Sequence, residues 1–182
     1  MADSFPFHAP YDQIATAVPV TLRDSTGAAV SSGGNVFTTI LFTPVLDTNQ
    51  YADGDILFDT IAVASVFASA SSGARLDSIH VLDENDQGVA FDLIFFNALT
   101  SLGTINAAPS ISDANARTII APPVQIGVTD YVDLGGSQIA GLRNLGLILF
   151  TGATSLWVAG ITRGGTPTYT ASGLRITLGI TR

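Results

Sequence analysis

From residue 15 onward the chain is a succession of short apolar runs, each closed by turn-forming residues. The runs include AVPVTLR, NVFTTILF, DILFDTIAVASVFAS, RLDSIHVL, VAFDLIFF, LGLILF, SLWVAGIT and LRITLGIT. Between them lie STG, SSGG, DTNQYADG, SSG, DENDQG, TGAT and RGGTPTYTASG. Runs this short, rich in β-branched and aromatic side chains, are strands rather than helices. The glycine, serine, asparagine and aspartate between them supply the backbone freedom and local hydrogen bonds that turns need. The pattern predicts an all-β fold, an antiparallel sandwich or a barrel.

Two segments depart from this rhythm. SDANARTII at residues 112–120 offers an N-cap serine, an acid in the first turn, then alanine and arginine, and it stops before Pro122 and Pro123. That predicts one helix of two turns at most. The opening MADSFPFHAPYD carries prolines and aromatics with neither helical nor strand periodicity. It reads as an extended arm over residues 1–14, ahead of a single sandwich domain over residues 15–182. Phe5, Phe7 and Tyr11 are its apolar anchors, too few to bury one another. They are expected to dock on another subunit.

Charge sets the next bound. Of 182 residues 47% are hydrophobic and 12% charged, against roughly 25% charged in ordinary globular chains. So little charge leaves apolar surface that other subunits are expected to cover. The apolar stretch at 61–74 is broken by serines and falls short of the roughly 20 apolar residues of a membrane span. The N-terminus has no basic start followed by an apolar core, so no secretory signal is read there. Cysteine is absent, which removes disulfides, thiol nucleophiles and cysteine-based metal sites. All seven basic residues are arginines, and the net charge is −8. Such a chain repels phosphate backbones, and with its arginines scattered from Arg23 to Arg182 no nucleic-acid partner is expected.

The densest polar cluster is DENDQG, within LDENDQGVAFDLIFFN at residues 82–97. Asp83, Asn85, Gln87 and Gly88 match the first half of a calcium loop, but the closing acidic position falls on Ile94, which has no oxygen to give. The cluster is expected to be a solvated turn joining two adjacent antiparallel strands, with no metal. His8 and His80 lie far apart, and neither accompanies a nucleophile motif. His80 alternates with Ile79 and Val81 and is expected to face solvent or an interface. Asp53 with Asp55, Asp83 with Asp86 and Asp130 with Asp133 are carboxylate pairs whose sequence spacing says nothing of a glycosidase geometry. Trp157 sits in an apolar strand, which suits a core or an interface better than a sugar platform. Without lysine there is no phosphate-binding P-loop. No catalytic residue, cofactor or metal is expected, and the chain does not read as an enzyme.

Six pieces then occur in one order: YADGD (51–55), RLDSIHVLDENDQG (75–88), DLIFFNA (92–98), SISDANA (110–116), YVDLGG (131–136) and SLWVAGITRGGTPTY (155–169). In this order they resemble a family of small virion proteins of tailed bacteriophages, several of which decorate or cement the capsid. The resemblance covers about the last two thirds of the chain. It implies a jelly-roll-like sandwich on the outer surface of a phage head, with the major capsid protein and other copies of itself, as a homotrimer, for partners. A head-fibre or tail-associated protein that binds a receptor or glycan is the alternative it leaves. The apolar runs at 145–150 and 155–162 look too continuous for strands with one wet face. Leu147, Leu149 and Trp157 are therefore expected, with Phe5, Phe7 and Tyr11, to touch the capsid or another subunit.

Overall fold

The computed structural model describes residues 36–182. The expected arm with Phe5, Phe7 and Tyr11, and the first expected strand, AVPVTLR, lie outside the described residues. Among those described, nine strands follow in the order β1 (Phe37–Phe42), β2 (Ile56–Val63), β3 (Gly73–Asp83), β4 (Phe91–Phe96), β5 (Val124–Ile126), β6 (Tyr131–Asp133), β7 (Gln138–Phe150), β8 (Leu156–Thr162) and β9 (Leu174–Thr181). A single helical turn, α1 (Asp113–Ala116), and a 3-10 turn at Val128–Asp130 interrupt them.

The strands form a five-stranded sheet, β1-β9-β3-β7-β6, and a four-stranded sheet, β2-β8-β4-β5. Every strand pairing is antiparallel. From β1 to β4, from β5 to β6, and again from β7 to β9, each successive strand crosses to the other sheet. Two facing blocks, β1-β9-β3-β7 and β2-β8-β4-β5, connected this way constitute a jelly roll. The short β6 adds an edge to the first block. Of the two architectures open to the strand pattern, the chain builds the sandwich.

The alternation of side chains explains the layers. In β9, Leu174, Ile176, Leu178 and Ile180 point inward and are fully buried, while Arg175, Thr177, Gly179 and Thr181 point out. Leu76, Ile79 and Val81 of β3 join them, as do Phe91, Leu93 and Phe95 of β4 and Leu156 and Val158 of β8. Each such side chain contributes about 1.5–3 kcal/mol by leaving water. The rings of Phe42 and Phe58 meet edge-on at 6.4 Å across the two layers. Gly160 leaves room for Phe58, since a Cβ there would lie 2.8 Å from Phe58 Cδ1.

β4 has no wet face. All six of its residues are buried, because Ile94 and Phe96 point away from the main core into a second cluster with Ile56, Leu102, Ala159 and Ile161. Residues 97–123, the link from β4 to β5, cover that cluster. Asp59 accepts hydrogen bonds from the Ser101 hydroxyl at 2.6 Å and the Leu102 amide at 2.8 Å. Ile56 exchanges backbone hydrogen bonds with Ala107 and Asn106, and the amides of Asn97 and Ile120 bond to Thr118 and Phe95. The expected helix at 112–120 is one turn, capped by Ser112, whose hydroxyl accepts from the Asn115 amide at 3.2 Å. After it the chain runs along β4 instead of coiling. The unbroken apolar run at 155–162 thus has a cause within the chain. Leu156 and Val158 face the main core while Ala159 and Ile161 lie under the chain's own 97–123 link, and a strand covered on both faces need not alternate.

Candidate interaction surface

The DENDQG turn is not a hairpin. It leads from β3 in the five-stranded sheet to β4 in the four-stranded sheet, so it bridges layers instead of joining adjacent strands. Nor is it solvated throughout, for Asp83 is fully buried. Its Oδ1 accepts from the Asn85 amide, and its Oδ2 from the amides of Gln87 and Gly88, each at 2.9 Å. Asp86 and Gly88, at φ of 56° and 58°, supply the left-handed backbone that wraps the chain around the carboxylate. Asn85 Oδ1 accepts from the Thr170 amide at 2.9 Å, and Gln87 Oε1 from the Thr168 amide at 3.1 Å. The turn therefore clamps the link between β8 and β9.

Three tyrosines lie in this part of the core. The Tyr51 hydroxyl donates to the Leu57 carbonyl at 3.0 Å, and its ring meets that of Tyr169 edge-on at 6.2 Å. Burial pushes the Tyr51 hydroxyl up to about 12. Burial, with the nearby Asp83 charge, also raises those of Tyr131 and Tyr169. The other carboxylate pairs serve backbone turns as well. Asp53 accepts from the Gly164 amide at 2.7 Å, Asp55 from Ala52 at 2.7 Å, Asp130 from Gly127 at 2.8 Å and Asp133 from Gly135 at 2.6 Å. Among the described residues no three His, Cys, Asp or Glu side chains converge as a metal cage.

The outer face of the five-stranded sheet is different. Pairing register places Thr181 of β9 between Phe37 of β1 and Arg75 of β3, with Ile148 of β7 beyond Arg75. The next rows bring together Gly179, Ser78 and Arg143, then Leu41, Thr177, His80 and Gly141, then Arg175, Leu82 and Ile139. Arginines that are scattered in sequence thus share one face, with Arg75 and Arg143 in adjoining rows and Arg175 two rows beyond Arg143. The Arg75 guanidinium pairs with Asp77 at 2.6 Å. A hydrogen bond from Thr181, with Arg75 beside it, holds the Asp77 carboxyl below its ordinary range. Arg175 pairs with Glu84 at 2.7 Å. Arg143 has no acidic partner among the described residues.

Apolar side chains rim this cationic strip. On β7 Ile148 is 67% exposed and Phe150 59%, and on β1 Phe37 and Leu41 are similarly open. β6 pairs with β7 only from Gln138 to Ala140, so beyond Ala140 that edge of β7 carries no neighbouring strand among the described residues. A bulge opposite Leu76 and Ser78 interrupts the ladder. It lies where Asn144 and Gly146 take φ of 59° and 62°. Bulges of this kind twist an edge away from indiscriminate pairing.

The expected contact residues fall unevenly on this map. Leu149 is completely buried and belongs to the main core, and Leu147 packs against that core half-buried. Their strand neighbours Ile148 and Phe150 are the outward-facing residues. Trp157 sits half-buried at the rim of the second cluster. His80 faces outward in the cationic strip, as its alternation with Ile79 and Val81 implies.

The fold and surface together define a jelly-roll sandwich with its four-stranded sheet covered over the second cluster and its five-stranded sheet open on the outside. No family model and no curated relative matches the chain. It is similar to a chain in the structure of infectious bursal disease virus Gx strain, with 13% identity and a TM-score of 0.38 over 88% of this chain. This chain spans 35% of the length of that one. It is also similar to a chain of Desmodium yellow mottle tymovirus, at 12% identity and a TM-score of 0.28, covering 100% of this chain and 94% of that one.

Proposed function

We propose that the protein is a non-enzymatic structural component of a tailed-phage virion. In this reading it lies on the outer surface of the capsid and cements it by bridging neighbouring major capsid subunits as a homotrimer. The observation that carries this reading is the open face of the five-stranded sheet, an apolar-rimmed, arginine-bearing surface on an otherwise charge-poor jelly roll. Exposed apolar patches on a stable sandwich are partner sites, and jelly rolls recur in viral capsid domains. The ordered resemblance at residues 51–169 supports the same assignment, and the engagement of the turn carboxylates with backbone amides is consistent with a scaffold role. Cementing needs no chemistry. Many weak contacts, each spanning a joint between shell subunits, add resistance to internal pressure through multivalency. Phe5, Phe7 and Tyr11 are assigned to the shell contact in this reading.

A reconstruction of the assembled particle tests it. The expected result is density for this sandwich outside the shell at every equivalent lattice junction. Density confined to a tail or to sparse fibres would instead support the receptor- or glycan-binding alternative.

A further inference from the structure

We infer that the outer face of the five-stranded sheet binds the acidic side of a second copy of this chain, head to tail. The inference deepens the structural role proposed above by naming the contact, and its test uses the free protein, so it can fail while that role stands.

Charge distribution is the first ground. The chain carries a net charge of −8, yet Arg75, Arg143 and Arg175 share one face with the two carboxylates of Asp77 and Glu84, three cations against two anions. Of the exposed acids without a cation partner among the described residues, Asp133 ends the edge strand β6, Asp53 and Asp86 are on turns, and Asp113 is on α1, over the outer side of the four-stranded sheet. A two-fold contact with its axis at Arg143 would set that residue beside its own copy and is repulsive. Unlike faces attract, and a head-to-tail contact closes into a ring when its rotation permits.

The second ground is the chemistry of the surface. Arginine and aromatic residues are the types enriched in protein–protein interfaces, and lysine is depleted there. This face offers Arg143 between the exposed Phe150, Ile148 and Phe37, and the chain has no lysine at all. The apolar rim and the overall negative charge argue for a protein partner over a nucleic acid.

The third ground is Gly141. It sits opposite His80 in the β3–β7 ladder, with no left-handed φ and with no atom within 4 Å of where a Cβ would be. Glycine inside a strand costs about 0.5–1 kcal/mol, and neither packing nor backbone geometry accounts for it here. A strand glycine of this kind marks a close approach by another group. It opens a shallow socket bounded by Asp77, Ser78, His80, Arg143 and Asn144. Asp77 is already held by Arg75 and Thr181, which leaves the planar fork of Arg143 to grip an incoming carboxylate with two parallel bonds.

Sedimentation equilibrium of the full chain tests the proposal. From the 18.8 kDa monomer, mass is expected to rise with concentration up to about 100 µM and to fall back when salt is raised, because salt screens exposed charge pairs. Arg143→Glu and Phe150→Ser should each weaken association by about tenfold or more, with unchanged circular dichroism. Arg117→Glu removes a cation beside Asp113 on the receiving side and should leave association as strong or strengthen it. A chain that stays monomeric at low salt overturns the proposal. So does association indifferent to Arg143→Glu, or weakened as much by Arg117→Glu. If the free chain is monomeric but Arg143→Glu abolishes attachment to particles, the partner is an acidic shell surface and the self-contact is refuted.

Discussion

Replacing Asp83 should destabilise the sandwich more than any other single polar change in the DENDQG turn. Three backbone amides point at its carboxylate, each at 2.9 Å, and the side chain is fully buried. A hydrogen bond to a charged acceptor contributes about 1.5–3 kcal/mol, and an amide left without a partner costs about 1–3 kcal/mol. Summing three bonds overstates the loss, because alanine also removes the cost of burying a charge and water can reach the Gln87 side of the turn. For Asp83→Ala the balance is about 3–5 kcal/mol, a large part of the roughly 5–15 kcal/mol that holds a domain together. Asp83→Asn is gentler. Its carbonyl oxygen can keep the Gln87 and Gly88 amides while its NH2 faces the Asn85 amide, so one bond becomes a donor–donor clash and the cost is about 1–3 kcal/mol.

Urea unfolding at neutral pH, followed by the fluorescence of Trp157, reads both values. Alanine within about 1 kcal/mol of the parent, or asparagine as costly as alanine, would refute the argument that backbone amides hold this carboxylate. Calorimetry adds a second check. No calcium binding is expected at sub-millimolar concentration, and a micromolar, stoichiometric signal lost in Asp83→Ala would place a cation where the amides are drawn.

Leu102→Ala, at a side chain 1% exposed, should cost about 2–5 kcal/mol, and the cleavage of residues 97–123 by protease should rise with it. Gly160→Ala forces a methyl against the Phe58 ring and should cost about 1–3 kcal/mol by the same unfolding assay. Tyr51, Tyr131 and Tyr169 have hydroxyls raised by burial. The folded chain therefore holds their protons where the unfolded chain releases them, above about pH 10. The stabilisation is complete below that pH and is lost as pH climbs from about 10 towards 12, by up to about 4 kcal/mol per pH unit for three groups acting together. Tyrosinate absorbance for these three should appear only as circular dichroism collapses, and a smooth titration near pH 10 with the fold intact would contradict their burial.

Strand content was legible because alternation is a local signal. Leu174, Ile176, Leu178 and Ile180 announce an inward row without knowledge of their neighbours, and the Ser112 cap with Pro122 and Pro123 bounds the one helical turn. Pairing was not legible. A short Asp/Asn/Gly cluster between two apolar strands looks the same whether it closes a hairpin or carries the chain across to the facing sheet. What separates the two here is Asp83 itself, a carboxylate in an inward position of β3, and an inward acid is readable only once the bulge at Asp77 and Ser78 has reset the alternation. A hairpin reading places that acid in water, whereas the crossover sinks it under the link between β8 and β9.

The same limit hid the surface. Arg75 precedes Leu76, Arg143 follows Leu142, and Arg175 stands between Leu174 and Ile176, so each arginine already reads as outward from its own strand. That signal marks three separate cations and no patch. Only the order β9-β3-β7 puts them on one face, and that order follows from the jelly-roll crossovers, which bring a strand from the first half of the described chain between two from the second. The apolar runs misled for a related reason. Continuity at residues 155–162 reflects cover from residues 97–123, whereas the run at 145–150 alternates inward Leu147 and Leu149 with outward Ile148 and Phe150. Two apolar runs therefore mean opposite things. One records a face the chain closes for itself, and the other a face left open beside Arg143.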